Sequence, residues 1–209
     1  MKGSLMALCM FAAGIAMGRW GIMPADIDMQ AATTWCLYLL IALIGVLLGS
    51  NRRLIEIIKS ISADIVVLPA LTVVGTLTGC IAAWWLIRET LTLPECLSIG
   101  SGFGYYSLSS VLIIDLRQEA IGIDAATQLG ALAVLANIMR EMVALIGAPL
   151  IAKWFGPYAA VSAAGVTSMD VTLPVLTRCC GDRAVPLALF HGVALEICVP
   201  LLVTLFCML

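Results

Sequence analysis

Charge is what this sequence has least of. Lys and Arg supply 11 of its 209 residues and Asp and Glu 13, so charged side chains make up 11% of the chain, against about 25% in ordinary soluble domains. With 62% hydrophobic residues and a mean hydropathy of +1.10, its long apolar runs cannot all be buried in one soluble core. The net charge is −2, and no basic stripe with interleaved aromatics occurs, which excludes nucleic acid as a partner. Histidine occurs once. No CxxC or Cys/His ligand spacing exists, so neither a zinc site nor a disulfide framework is expected. The eight cysteines, several inside apolar runs such as Cys36, Cys80 and Cys198, read as small hydrophobes. No metal or cofactor is expected. The chain also lacks HExxH, a GxSxG serine elbow and paired aspartates in a GxGD setting, which argues against an intramembrane enzyme.

What remains is an all-α, polytopic transmembrane helical bundle in which the lipid bilayer is the principal partner. About seven membrane-embedded segments are predicted, at 4–23, 33–49, 61–87, 94–116, 125–151, 163–176 and 184–209, forming a single transport domain over 1–209. The first exceeds the usual 7–15-residue core of a signal peptide and is expected to be retained. Gly14 and Gly18 in it form a GxxxG pair that permits close helix packing. Pro69 is expected to kink the third segment. Asp115, Arg117, Glu119 and Asp124 read as a solvated loop.

Two segments are suspect as regular helices. The stretch 98–110 contains SGFGYYSLSS, in which Gly102 and Gly104 weaken a helix and Ser107 adds a hydroxyl; a broken helix could use this to present backbone groups to a ligand. The competing reading is a small-residue face packed against a neighbour. The stretch 163–176 places Asp170 among Gly165, Thr167, Ser168, Thr172 and Pro174. An ionised side chain in lipid costs about 2.5–3.5 kcal/mol even on the lenient insertion scale. Asp170 therefore reads as a binding group in an unwound segment, or else as part of a polar loop at the bilayer surface.

Further polar residues lie inside apolar runs. Asn137, Arg140 and Glu141 sit near the middle of the fifth, where Asn137 shares a face with Glu141 and lies near Arg140. His191 and Glu196 sit in the last, ahead of Pro200. Such residues normally face a bundle interior or a cavity.

Orientation follows from the basic residues. With seven crossings, Lys2, Arg52, Arg53, Lys59, Arg117, Arg178 and Arg183 share one side, while Arg19, Arg88 and Lys153 share the other. The N-terminus is then cytoplasmic and the C-terminus outside. If both suspect segments re-enter, the crossings drop to five and the C-terminus stays outside.

Several runs together carry a resemblance: SGFGYYSLSS (101–110), NIMRE (137–141), GVTSMDVTLPVL (165–176), the pair His191-Gly192, and IALIGVLLGSNRRL (41–54). In this order and at similar spacing they resemble the lysine exporter (LysO) family over most of the chain. The resemblance implies export of L-lysine and its toxic analogue thialysine across a bacterial inner membrane, with antiport of protons. It also implies that Asp170, in the TSMD motif, is functional. Single-chain members are longer and begin with about three further transmembrane segments, one carrying a functional acidic residue; both of their termini lie outside. The chain thus resembles the larger, C-terminal part of a split exporter whose partner is a membrane subunit of about 100 residues. A homo-oligomer is equally compatible.

On this reading Asp170 pairs with a substrate ammonium, N–H groups at Gly102–Gly104 hold the carboxylate, and Arg140 with Glu141 forms a structural or gating pair. Competition between a proton and an ammonium for one buried carboxylate would couple their flows. Another basic amino acid or an organic anion as substrate, and a non-transporting scaffold subunit, are the alternatives.

Overall fold

The structure, a computed structural model, describes residues 63–182 and 184–209, with isolated helical positions before residue 63. The expected segments 4–23 and 33–49, the Gly14/Gly18 pair, and Lys2, Arg52, Arg53, Lys59 and Arg183 lie outside the described residues. The chain divides into two compact units, Met1–Gly45 and Val46–Leu209, and all that follows concerns the second.

Among the described residues there are seven α-helices and no strand: α1 (Ala63–Ile87), α2 (Leu93–Gly100), α3 (Tyr106–Ile121), α4 (Ile123–Phe155), α5 (Pro157–Ala164), α6 (Leu173–Cys180) and α7 (Ala184–Cys207), with a 3-10 turn over Gly165–Met169. Three of them, α1, α4 and α7, are long and apolar enough to cross a membrane. Their large apolar side chains point outward as well as inward; Leu71, Leu86, Ile146 and Leu201 are all exposed. That pattern suits helices whose outer face meets lipid. At 1.5 Å per residue the eight-residue helices α2, α5 and α6 rise only about 12 Å, well short of a hydrocarbon core of about 30 Å.

The short helices belong to two helix–break–helix hairpins. In the first, α2 opens with a capping box in which Thr92 Oγ1 accepts from the Glu95 N–H and Glu95 Oε2 accepts from the Thr92 N–H. The chain breaks at Ser101–Tyr105 and returns as α3. Arg117, late in α3, reaches Glu95 at 3.6 Å and donates to the carbonyl of Cys207 at the end of α7 at 3.3 Å. A continuous helix from 93 to 121 would hold residues 95 and 117 about 33 Å apart, so their ion pair shows that the chain turns back. The second hairpin is α5, the 3-10 turn and α6. Its Ala160, Val161 and Leu176 share one apolar cluster with Ala144 and Ala148 of α4, Leu68 of α1 and Leu187 and Ala188 of α7. Both arms of this hairpin therefore lie at the end of the bundle where α4 finishes and α7 begins. The hairpins enter from opposite ends.

One expectation changes. Residues 115–121 are not a loop: α3 runs on to Ile121, and only Gly122, with φ +82°, separates it from α4. Asp115 and Arg117 are half-buried, and only Glu119 and Asp124 keep the exposure expected of them. Helix α7 carries His191 and Glu196 and runs unbroken through Pro200. Helices α1 and α4 continue through Pro69 and Pro149, which is compatible with the kink expected at Pro69.

Candidate functional site

The two hairpin breaks meet. The N–H of Val166 donates to the carbonyl of Phe103 at 2.9 Å. Gly165 adopts φ +65°, and a Cβ there would collide with the same Phe103 carbonyl, so only glycine allows the approach. Phe103 is fully buried and itself has φ +46°, a conformation rare for a bulky residue and typical of functional segments. Gly192 of α7 also packs close: a Cβ on it would meet Met169 and the carbonyl of Val166.

Helix α4 staples both breaks with two side chains. Asn137 accepts from the Gly104 N–H at 2.7 Å and donates to the carbonyls of Ile99 at 3.2 Å and Ala133 at 2.8 Å. Arg140 donates to the carbonyls of Ser162 (3.0 Å) and Ala163 (3.2 Å), where α5 ends, and to Thr76 Oγ1 on α1 at 3.1 Å. Its guanidinium lies over the Phe103 ring, 5.7 Å from the centroid. A cation at a helix C-terminus is held by carbonyls that have no intrahelical donor. Arg140 is thus a structural tie, and it makes no ion pair with Glu141 among the described residues.

Beside this junction lies a pocket of about 160 Å³ lined by Gly104, Tyr105, Tyr106 and Ser107 from the first break, Val166, Thr167, Met169, Asp170 and Val171 from the second, and Glu141 and Glu196 from α4 and α7. One water molecule needs only about 10–15 Å³ on this measure, so the pocket admits a small organic solute. Helix α3 begins at its wall with no side-chain cap on its first turn, leaving backbone N–H groups and the positive end of the helix dipole there.

The candidate residues divide into lining and support. Asp170, Thr167, Gly104, Ser107, Glu141 and Glu196 come together in the pocket. Asp170 is exposed at its mouth, with one carboxylate oxygen accepting from the Val171 N–H; it is not the deep carboxylate the sequence suggested. Glu196 is, at 7% exposure. Gly102 lies under Asn137, and its N–H donates to Ile99. With the Gly104 N–H taken by Asn137, the donors left facing the pocket are those of the first turn of α3.

The hydroxyls repair the second break. Thr167 donates to Ala164, Ser168 to Ala188 and Thr172 to Thr167, each at 2.8 Å. His191 is fully buried, with Thr72 Oγ1 at 2.9 Å from Nε2 and Ser168 Oγ at 3.3 Å from Nδ1. Tyr105 and Tyr106 also line the pocket, a role that the sequence pattern alone does not assign to them; their position between Gly104 and Ser107 is the only signal it carries.

The sequence matches a known family. The family model described as Lysine exporter LysO matches residues 8–207. The chain belongs to the lysine exporter family. The lysine exporter LysO of Escherichia coli K12 is 33% identical over 193 residues, which is 92% of this chain and 60% of that protein. A Haemophilus influenzae Rd protein described as a candidate lysine exporter is 28% identical over 173 residues, 81% of this chain and 83% of that protein. The chain therefore spans less than two thirds of the E. coli lysine exporter. No solved structure matches it. Within the lysine exporter family it is a multi-pass membrane protein whose matched region covers both hairpins and the pocket between them.

Proposed function

We propose that this chain is the larger subunit of an inner-membrane exporter of L-lysine and thialysine, driven by antiport of protons. The observation that carries the reading is the convergence of three carboxylates, Asp170, Glu141 and Glu196, with the uncapped start of α3 in one pocket. Lysine presents two ammonium groups and one carboxylate. The carboxylates of the pocket attract the ammonium groups. The first-turn N–H groups of α3 and the hydroxyl of Ser107 receive the α-carboxylate, as half-helix ends do in transporters. Membership of the lysine exporter family supports the substrate class.

The remaining length of the family's longer members would come from a separate small membrane subunit of about three crossings, roughly 100 residues; the 60% coverage of the E. coli relative supports this. In the membrane, the end bearing Lys153 and Arg178 is cytoplasmic and the end bearing Arg117 and the C-terminus is outside. The hairpin geometry exchanges Arg117 and Lys153 relative to a seven-crossing chain, and the basic excess on the cytoplasmic side stays the same.

The test is efflux of labelled lysine from loaded cells carrying this chain with the small subunit. Asp170→Asn and Glu141→Gln should each abolish export while immunoblot shows normal insertion, and Asp170→Glu should rescue only in part, since an added methylene displaces the charge by about 1.5 Å. Wild-type efflux from both neutral variants would leave the chain a scaffold. Robust efflux from this chain alone would refute the need for a partner.

A further inference from the structure

We propose that Glu196 is the group on which a proton and the substrate ammonium exchange. This rests on the pocket being the transport site. The carboxylate of Glu196 lines the pocket, yet the residue is only 7% exposed. Among the described residues no hydrogen-bond donor and no cation reaches it.

A carboxylate on a largely buried residue that faces other carboxylates across a narrow pocket, with no cation beside it, is biased towards taking up a proton. The groups around it favour the same outcome. Asp170 after the 3-10 turn and Glu141 on α4 are both carboxylic side chains, and Tyr105 and Tyr106 at the start of α3 bring phenols and no cation. Helices α1, α2, α5 and α6 bring no titratable side chain to the lining. On α7 itself His191 is bonded to Thr72 and Ser168, and Arg140, the cation closest in sequence to Glu141, is spent on Ser162, Ala163 and Thr76.

In the proposed cycle Glu196 carries a proton until substrate binds. When an ammonium enters, it supplies the missing positive charge; the proton leaves to solvent and the charge at Glu196 is compensated in both states. Asp170, exposed at the pocket mouth, attracts the substrate ammonium first. The exchange sits on the buried carboxylate.

The experiment is infrared difference spectroscopy on the purified exporter in lipid nanodiscs at neutral pH, with proton release followed by an indicator dye. The ligand-free protein should show a protonated carboxyl band that Glu196→Gln removes and Asp170→Asn retains. Lysine should erase the band and release about one proton per site, and Glu196→Gln should bind or exchange lysine with no proton release. Should the Gln variant fail to fold, Glu196→Asp serves instead and should shift both the band and the pH midpoint of release. Absence of the band from the ligand-free protein, or its persistence in Glu196→Gln or in the lysine-bound state, overturns the proposal. If lysine leaves the band untouched but arginine or ornithine erases it and releases a proton, the substrate reading fails and the role of Glu196 stands. If no cationic amino acid moves it, the exchange role fails.

Discussion

The N–H of Val166 and the carbonyl of Phe103, 2.9 Å apart, join the floors of two hairpins that enter the bundle from opposite ends. Every lining residue of the pocket from either break lies within a few positions of that bond. Its geometry requires Gly165 at φ +65° against the Phe103 carbonyl.

Gly165→Ala adds a Cβ that collides with the Phe103 carbonyl in a conformation already costing an L side chain roughly 1–3 kcal/mol. Loss of more than that amount of stability is expected, read as a lower melting temperature in detergent and loss of efflux. A melting curve like that of the wild type would show that the two breaks do not depend on their close approach.

Asn137→Asp keeps the acceptor for the Gly104 N–H but removes both donors to the carbonyls of Ile99 and Ala133. Both carbonyls keep a backbone donor, the Gly102 N–H for Ile99 and the helix N–H of residue 137 for Ala133, so each lost bond costs about 0.5–1.5 kcal/mol, and the Asp carboxylate is brought against two carbonyl oxygens that repel it. The Asp variant should be clearly less stable than wild type, and Asn137→Gln should not restore it, because the longer arm displaces both ends of the amide. Thermal stability and hydrogen exchange of the 101–105 amides check this.

Arg140→Lys retains a cation but cannot donate at once to Ser162, Ala163 and Thr76 from a planar fork. The expected result is a loss of about 2–4 kcal/mol, in the range seen when a buried charged network loses part of its bonds, with residual export falling alongside. A Lys variant as stable as wild type would show that point charge alone holds the second break.

Topology separates five crossings from seven. In a cysteine-free background, Glu119→Cys, beside Arg117, should react with a membrane-impermeant maleimide from outside, and Lys153→Cys only after the inner face is opened. With seven crossings the two outcomes exchange. The C-terminus is labelled from outside in both arrangements, so the internal pair decides.

The broken segments are legible in the amino-acid pattern because Gly and hydroxyl residues clustered in a short run weaken a helix, whereas the isolated prolines of α1, α4 and α7 do not end theirs: 98–110 and 163–176 contain the two breaks at Ser101–Tyr105 and Gly165–Thr172. Asp170, Glu141 and Glu196 are legible as well, since carboxylates in apolar runs need a reason to be there. Their roles are less visible. Burial depends on which helices surround a residue, so Asp170 reads as the deep acid when that place belongs to Glu196, one crossing later.

Membrane class, the places where helices break and the inventory of intramembrane charge all follow from the order of residues alone, because each depends on local composition and on the cost of burying polar groups. The direction of each hairpin, the exchange of Arg117 and Lys153 between the two ends, and the division of Asn137 and Arg140 from the pocket-lining acids arise only when the helices pack. They depend on contacts between residues far apart in the chain, such as Glu95 with Arg117 and Phe103 with Val166, and no local pattern encodes which distant partner will satisfy a given polar group.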